Sequence, residues 1–193
     1  MLEGASAAAD VVSLAAGGRP ARVGILGGGQ LGRMLALAAA PLGVDVRLYD
    51  PSEAPCAAQV APVVRGAWDD LEALQRFAAD REVLTWEFEN VPATSLAGLA
   101  EVASICPTPT SLAVGRDRLE EKGFFQQLGI PTVPFTPVNG PDDAERAIEQ
   151  CGLPLRLKTR RLGYDGKGQA VARNRSEVRD AIESLGRSDL IAE

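Results

Sequence analysis

Lys158-Thr159-Arg160-Arg161-Leu162-Gly163-Tyr164-Asp165-Gly166-Lys167-Gly168-Gln169 decides how this chain is read. The stretch leaves one strand-like run, Leu153 to Leu157, and enters another, Gln169 to Ala172. A lysine at the end of a strand, followed by a glycine-rich hairpin with a second lysine, suits phosphate binding. Backbone N–H groups in a tight turn converge on anion oxygens, glycines allow close approach, and ammonium groups neutralise the charge. The plainer reading is a hairpin turn at Asp165-Gly166, since Asp-Gly between extended runs is a strong turn signal. Both readings stand on this stretch alone.

A second glycine cluster lies near the start. Arg22 to Leu26 is a short apolar strand, then comes Gly27-Gly28-Gly29-Gln30-Leu31-Gly32, then an Ala/Leu-rich helix from about Gln30 to Ala40. Pro41 and Gly43 stop the helix, and Val44 to Tyr49 forms a strand ending at Asp50. Strand, glycine turn, helix, strand is the opening of a doubly wound parallel sheet. Three uses of the turn are open. It can bind a dinucleotide with Asp50 on a ribose, hold the phosphate of a smaller nucleotide at the helix N-terminus, or merely permit close helix–strand packing.

Further along, Val63-Val64 is strand-like and Asp69 to Ala79 is an amphipathic helix. The run Val83 to Glu89 reads as a fourth strand with Glu87 and Glu89 on one face near its C-terminal end, where open α/β sheets hold ligands. A solvated strand end is the alternative for the two acids. Thr94 to Val102 is a small helix, and Ser111 to Leu128 reads as one long helix closed by Gly129. Pro131, Pro134 and Pro137 make a stiff connector and mark a domain boundary. Beyond it are a helix (Asp142 to Gln150), the two strands flanking the glycine stretch, and a helix from Ser176 as N-cap to Leu185. An apolar strand, Asp189 to Glu193, comes last; the sequence stops inside it, so a longer protein is expected. Residues 1–20, rich in Ala, Gly and Ser, read as a disordered leader.

Composition narrows the chemistry. A net charge of −6, with acids and bases interspersed, argues against a nucleic-acid-coating surface. No apolar run is long enough to span a bilayer. Cys56, Cys106 and Cys151 lack metal-ligand spacing and read as reduced thiols of a cytoplasmic protein. There is no histidine, which excludes Ser–His and Cys–His nucleophile systems and the usual neutral-pH proton shuttle. Carboxylates, lysines, arginines or a bound cosubstrate must carry the chemistry.

Four features now stand in order: Gly27 through Met34, Thr85 through Pro92, Asp117-Arg118 with Lys122, and Lys158 through Gln169. Together they resemble the 5-(carboxyamino)imidazole ribonucleotide synthases, ATP-grasp ligases of purine biosynthesis, from about Arg22 to Glu193. The resemblance implies an α/β fold: a Rossmann-like pre-ATP-grasp domain with a parallel sheet over 21–110, a connecting helix over 111–130, and the small ATP-grasp lid subdomain over 131–193. The large ATP-grasp domain is expected beyond. The implied reaction uses ATP and Mg2+ to turn bicarbonate into carboxyphosphate, whose carbon is captured by the amine of 5-aminoimidazole ribonucleotide. By resemblance, Arg118, Lys158, Gly163, Tyr164, Asp165, Gly166, Lys167, Gly168, Gln169 and Glu193 meet ATP. Gly29, Gln30, Leu31, Glu87, Tyr164 and Asp165 face the ribonucleotide, and Lys158 and Asp165 are the catalytic pair. The metal ligands are expected outside this sequence, and a homodimer is admitted. Arg156 departs from the family pattern, which has an apolar residue there. On an extended strand it shares a face with Lys158, either adding charge near the nucleotide or costing several kcal/mol if buried unpaired. A nicotinamide-binding Rossmann domain and a non-catalytic nucleotide-binding fragment are the competing functions.

Overall fold

The computed structural model describes residues 19–163, 167–186 and 188–193, in two compact units, Met1–Leu112 and Ala113–Glu193. The first unit carries a parallel sheet of β1 (Arg22–Leu26), β2 (Asp45–Asp50), β3 (Val63–Arg65), β4 (Val83–Trp86) and β5 (Ser104–Ile105), ordered β3-β2-β1-β4-β5. Its helices are α1 (Gln30–Ala39), α2 (Leu71–Ala79), α3 (Ala93–Leu99) and α4 (Pro109–Gly115), the last running into the second unit.

Successive strand residues enter opposite cores. Ile25 and Leu48 pack with Ala36, Val46 and Ala57; Leu26 and Tyr49 pack with Leu74, Phe77, Leu84 and Leu96. A parallel sheet covered on both faces requires this, and it explains why its strands are apolar runs rather than alternating ones. Tyr49 anchors an aromatic cluster, with its ring centroid 5.6 Å from Trp68 and 5.5 Å from Phe77 and its hydroxyl donating to Ala67 O at 2.9 Å. Helix α1 buries Gly32 and Ala36 and leaves Leu31, Met34, Leu35 and Leu37 exposed.

The second unit holds an antiparallel sheet of β6 (Thr136–Val138), β7 (Leu155–Thr159), β8 (Gln169–Ala172) and β9 (Leu190–Ala192), ordered β6-β9-β7-β8. Its helices are α5 (Arg118–Gln127), α6 (Ala144–Cys151) and α7 (Arg175–Ser184). Leu155, Leu157, Ala172 and Leu190 point to the side packed by Ala147, Val178 and Ile182. Arg156 and Lys158 therefore share the other face. Arg156 is exposed, and its guanidinium donates to Gln169 Oε1 at 2.9 Å, so it is no buried liability.

Four local expectations need correction. The strand expected to reach Glu89 ends at Trp86, because its neighbour β1 ends opposite at Leu26; one further bond, Glu87 N–H to Leu26 O at 3.1 Å, precedes the bend. The single helix expected over Ser111 to Leu128 is two, α4 and α5. Asp117 breaks it by taking an extended conformation (φ −127°, ψ 114°) in which its carboxylate caps Leu119 N–H at 3.0 Å. The cap of α7 is Asn174 rather than Ser176: its side-chain oxygen accepts from Glu177 N–H at 3.0 Å while Glu177 reaches back to Arg173 N–H at 2.8 Å. The proline connector contains β6, with Pro137 tolerated because β6 is an edge strand.

Candidate functional site

In the first unit the glycine turn sits between the C-terminal ends of β1 and β4. Chain order reverses there, and open sheets of this type hold ligands at that point. Gly27 adopts φ +112°, and a Cβ there would lie 2.4 Å from Glu87 Cγ, so both backbone and space demand glycine. Two carboxylates brace the turn. Asp50, 8% exposed, accepts Gly28 N–H at 2.7 Å on one oxygen and Ser52 N–H at 2.8 Å on the other. Glu87 Oε1 accepts Gly29 N–H at 2.9 Å.

These bonds bear on the open readings of the turn. The N–H groups of Gly28 and Gly29 already hold carboxylates, so they are not a vacant phosphate cradle. Each Asp50 oxygen already serves one backbone N–H, so Asp50 braces the turn whatever ligand the cavity holds. Above the turn lies a cavity of about 430 Å³ lined in part by Gly29, Asp50, Cys56, Trp68, Glu87 and Phe88. Among the described residues no lysine or arginine lines it. It presents acceptors and aromatic rings, and so suits the amine, hydroxyl or flat-ring part of a ligand. Gly29 and Glu87 form its wall; Gln30 and Leu31 are exposed at the start of α1 and do not line it.

In the second unit the cations divide by role. Arg118, at the first turn of α5, donates through its guanidinium to Thr159 O and Leu162 O at 2.8 Å each and to Gly163 O at 3.3 Å. Its backbone N–H meets Arg160 O at 3.0 Å. Asp117, 2% exposed, accepts Arg160 in fork fashion at 2.9 and 2.7 Å and Arg161 Nε at 3.2 Å. Burial would raise the Asp117 carboxyl, but the Arg160 guanidinium and Leu119 N–H hold it below the usual aspartate range. Arg118, Arg160 and Arg161 therefore fasten the start of the glycine loop to α5. Within that loop Gly163 has φ +93°, and a Cβ would lie 2.8 Å from Lys167 O.

The remaining charge meets at Glu193. Lys158, on the open face of the sheet, forms an ion pair with Glu193 Oε1, and Lys122 from α5 approaches Oε2 at 2.7 Å. Lys122 also lies 5.7 Å over the Phe135 ring. Burial pushes the Glu193 carboxyl up, but hydrogen bonds from Lys122 and Lys158 more than offset this and hold it below the ordinary glutamate range. Gln169 pairs across from Lys158, while Lys167 and Gly168 lie at the mouth of β8. Tyr164, Asp165 and Gly166, and the leader up to residue 18, lie outside the described residues. From sequence, Asp50 carries only the ribose role of the dinucleotide alternative, and Asp117 and Lys122 are singled out without a role; Asp117-Arg118-Leu119-Glu120 has capping-box spacing, a local signal for Asp117.

Comparison with known proteins agrees with this division. Residues 21–116 match the ribonucleotide synthetase preATP-grasp domain, and residues 123–193 match the ATP-grasp domain. The chain belongs to the ATP-grasp family. Within it, the similar proteins are N5-carboxyaminoimidazole ribonucleotide synthases. That of Pseudomonas aeruginosa is 44% identical over 172 residues, covering 89% of this chain and 48% of the relative. The crystal structure of the Thermus thermophilus synthetase is 48% identical with a TM-score of 0.81, covering 89% of this chain and 46% of that one. The Aspergillus clavatus synthase, in complex with ADP and 5-aminoimidazole ribonucleotide, is 29% identical with a TM-score of 0.80, covering 91% and 46%. The chain thus spans about half the length of the relatives it matches, corresponding to their N-terminal half.

Proposed function

We propose that this chain forms the N-terminal part of a cytoplasmic, ATP-dependent carbon–nitrogen ligase that carboxylates 5-aminoimidazole ribonucleotide with bicarbonate. The observation that carries the reading is the convergence of Lys122 and Lys158 on one carboxylate, at the open sheet face from which the glycine loop departs. Two half-buried ammonium groups sharing one acid leave a net positive charge to meet a nucleotide phosphate. The braced turn of the first unit, with Glu87 and two aromatic rings, suits the aminoimidazole and ribose of the second substrate better than its phosphate.

ATP phosphorylates bicarbonate to carboxyphosphate and ADP; the ribonucleotide amine then attacks the carboxyl carbon, and phosphate leaves. Lys158 would lie on the transferring phosphates, with Lys167 to Gln169 and Tyr164 to Gly166 completing the loop and Asp165 acting beside Lys158. Glu193 would begin the segment that meets the adenine and ribose, and Arg118 would hold the loop in place. This is catalysis by positioning and charge stabilisation, which needs no histidine. Magnesium would accompany the ATP. Among the described residues no group of three His, Cys, Asp or Glu is arranged to hold a metal ion, so no step is assigned to one here. Residues 131–193 would serve as the lid subdomain, joined through 111–130.

The binding test is calorimetry of the chain with ATP, 5-aminoimidazole ribonucleotide and NADH, each alone. ATP and the ribonucleotide should bind, NADH should not, and Lys158→Met should weaken ATP alone. Turnover is tested by fusing the chain to the C-terminal half of the P. aeruginosa synthase. Phosphate release indifferent to the ribonucleotide would reject the assignment.

A further inference from the structure

Glu193 poses a difficulty for any nucleotide that uses Lys158. Its side chain is 11% exposed, and Lys158 is one of its two cationic partners. A phosphate that draws Lys158 away leaves the carboxylate close to the incoming negative charge. A buried carboxylate stripped of its partner either repels the ligand or takes up a proton, and both weaken binding. Lys122 removes the difficulty. It reaches Glu193 from a different element, α5, and uses the other oxygen, Oε2, at 2.7 Å. The Phe135 ring beneath it gives the ammonium a second favourable contact that does not depend on Lys158.

We propose that Lys122 is a positioning residue: it stays on Glu193 when a nucleotide phosphate takes Lys158, so the released carboxylate keeps a cation and binds no proton. The proposal rests on the reading that Lys158 meets nucleotide phosphate. Other groups near Glu193 do not substitute for Lys122. The Cys151 thiol at the end of α6 is itself made harder to ionise, by burial and then by Glu193. Arg156 meets Glu193 only through its backbone, N–H to Glu193 O at 2.6 Å, while its guanidinium is turned to Gln169.

With Lys122→Met, movement of Lys158 to phosphate leaves Glu193 alone, and the carboxylate takes one proton from solvent to become a carboxylic acid. ATP binding then becomes proton-linked: affinity falls as pH rises, with a limiting slope of about one decade per pH unit. The experiment is calorimetric titration of the chain with ATP across neutral pH, in two buffers of different ionisation enthalpy. Comparison of variant with wild type cancels the titration of ATP itself. Lys122→Met should bind roughly 500-fold more weakly at neutral pH, since protonating there a carboxyl whose ordinary pKa is about 4.3 costs about 2.7 decades of affinity, and should take up close to one proton more than wild type. Lys122→Arg should restore the wild-type profile, and Lys122→Met with Glu193→Gln should abolish the extra proton. A merely structural role for Lys122 would lower the melting temperature without creating proton uptake. Wild-type affinity and proton count in Lys122→Met overturn the proposal while leaving the function intact. Failure of wild type to bind ATP, or indifference of ATP to Lys158→Met, overturns the functional reading and this proposal with it.

Discussion

Replacing Asp117 separates two jobs that one carboxylate performs. Asp117→Ala removes the N-cap of α5 and the fork partner of Arg160; Asp117→Asn keeps the cap and an acceptor but discards the charge. Loss of a cap costs about 1 kcal/mol. Removing one partner of a buried pair costs about 3–5 kcal/mol. Arg160 keeps 18% of its side chain exposed, so water softens that loss to about 2–3 kcal/mol. Asp117→Ala should therefore destabilise the second unit by about 3–4 kcal/mol, and Asp117→Asn, with neutral hydrogen bonds left, by about 1 kcal/mol. In a unit of roughly 80 residues each kcal/mol lowers the melting temperature by about 4–8 °C, so circular dichroism resolves the two easily. Acid titration adds a second signature. The Asp117 carboxyl is held below its ordinary value, so its contribution is complete at neutral pH. It starts to fall near the unfolded value of about 3.9 and is lost as pH drops through the folded value. Asp117→Asn should flatten that acid limb. Equal losses from the two variants, or an unchanged acid limb in Asp117→Asn, would refute the division of labour.

Gly27→Ala, with φ +112° and Glu87 Cγ 2.4 Å from the new methyl, should cost more than about 1 kcal/mol and weaken binding of the ribonucleotide, read by urea unfolding and calorimetry. Leu84→Ala empties a fully buried site between α2 and α3 and should lose about 3 kcal/mol in the same unfolding assay. The Cys151 thiol, raised by burial and by Glu193, should react with iodoacetamide more slowly than a free cysteine at neutral pH and gain rate only well into the alkaline range.

Most of the architecture was legible because it is local. Apolar runs bounded by glycine and proline located β1, β2, β7 and β8, and the 3.6-residue period located α2 and α7. The glycine turn with the strands on either side fixed a parallel sheet. What escaped depends on contacts across the fold. Nothing near Glu87 in sequence says that its carboxylate hooks Gly29, 58 residues away. Nor does Arg118 show locally that its donors will find the carbonyls of Thr159, Leu162 and Gly163. Charge in a motif suggests a ligand, yet protein carbonyls and Asp117 also hold Arg118, Arg160 and Arg161. The break at Asp117 was partly readable, since Asp-x-x-Glu is a start signal; it was masked by the helical pattern running through it. β6 was hidden because three prolines suppress any strand reading, although an edge strand accepts one.

The order β6-β9-β7-β8 has a consequence for synthesis on the ribosome. The last of these strands to be made, Leu190–Ala192, is wholly buried and lies between two strands translated much earlier. Until it leaves the exit tunnel, β6 has no neighbour and β7 pairs with β8 alone, a two-stranded ribbon that is marginal in water. The nascent second unit must therefore wait with its sheet incomplete. A translational stall just before Leu190 should yield a protease-sensitive product, and a stall far enough downstream for Ala192 to clear the tunnel a resistant one.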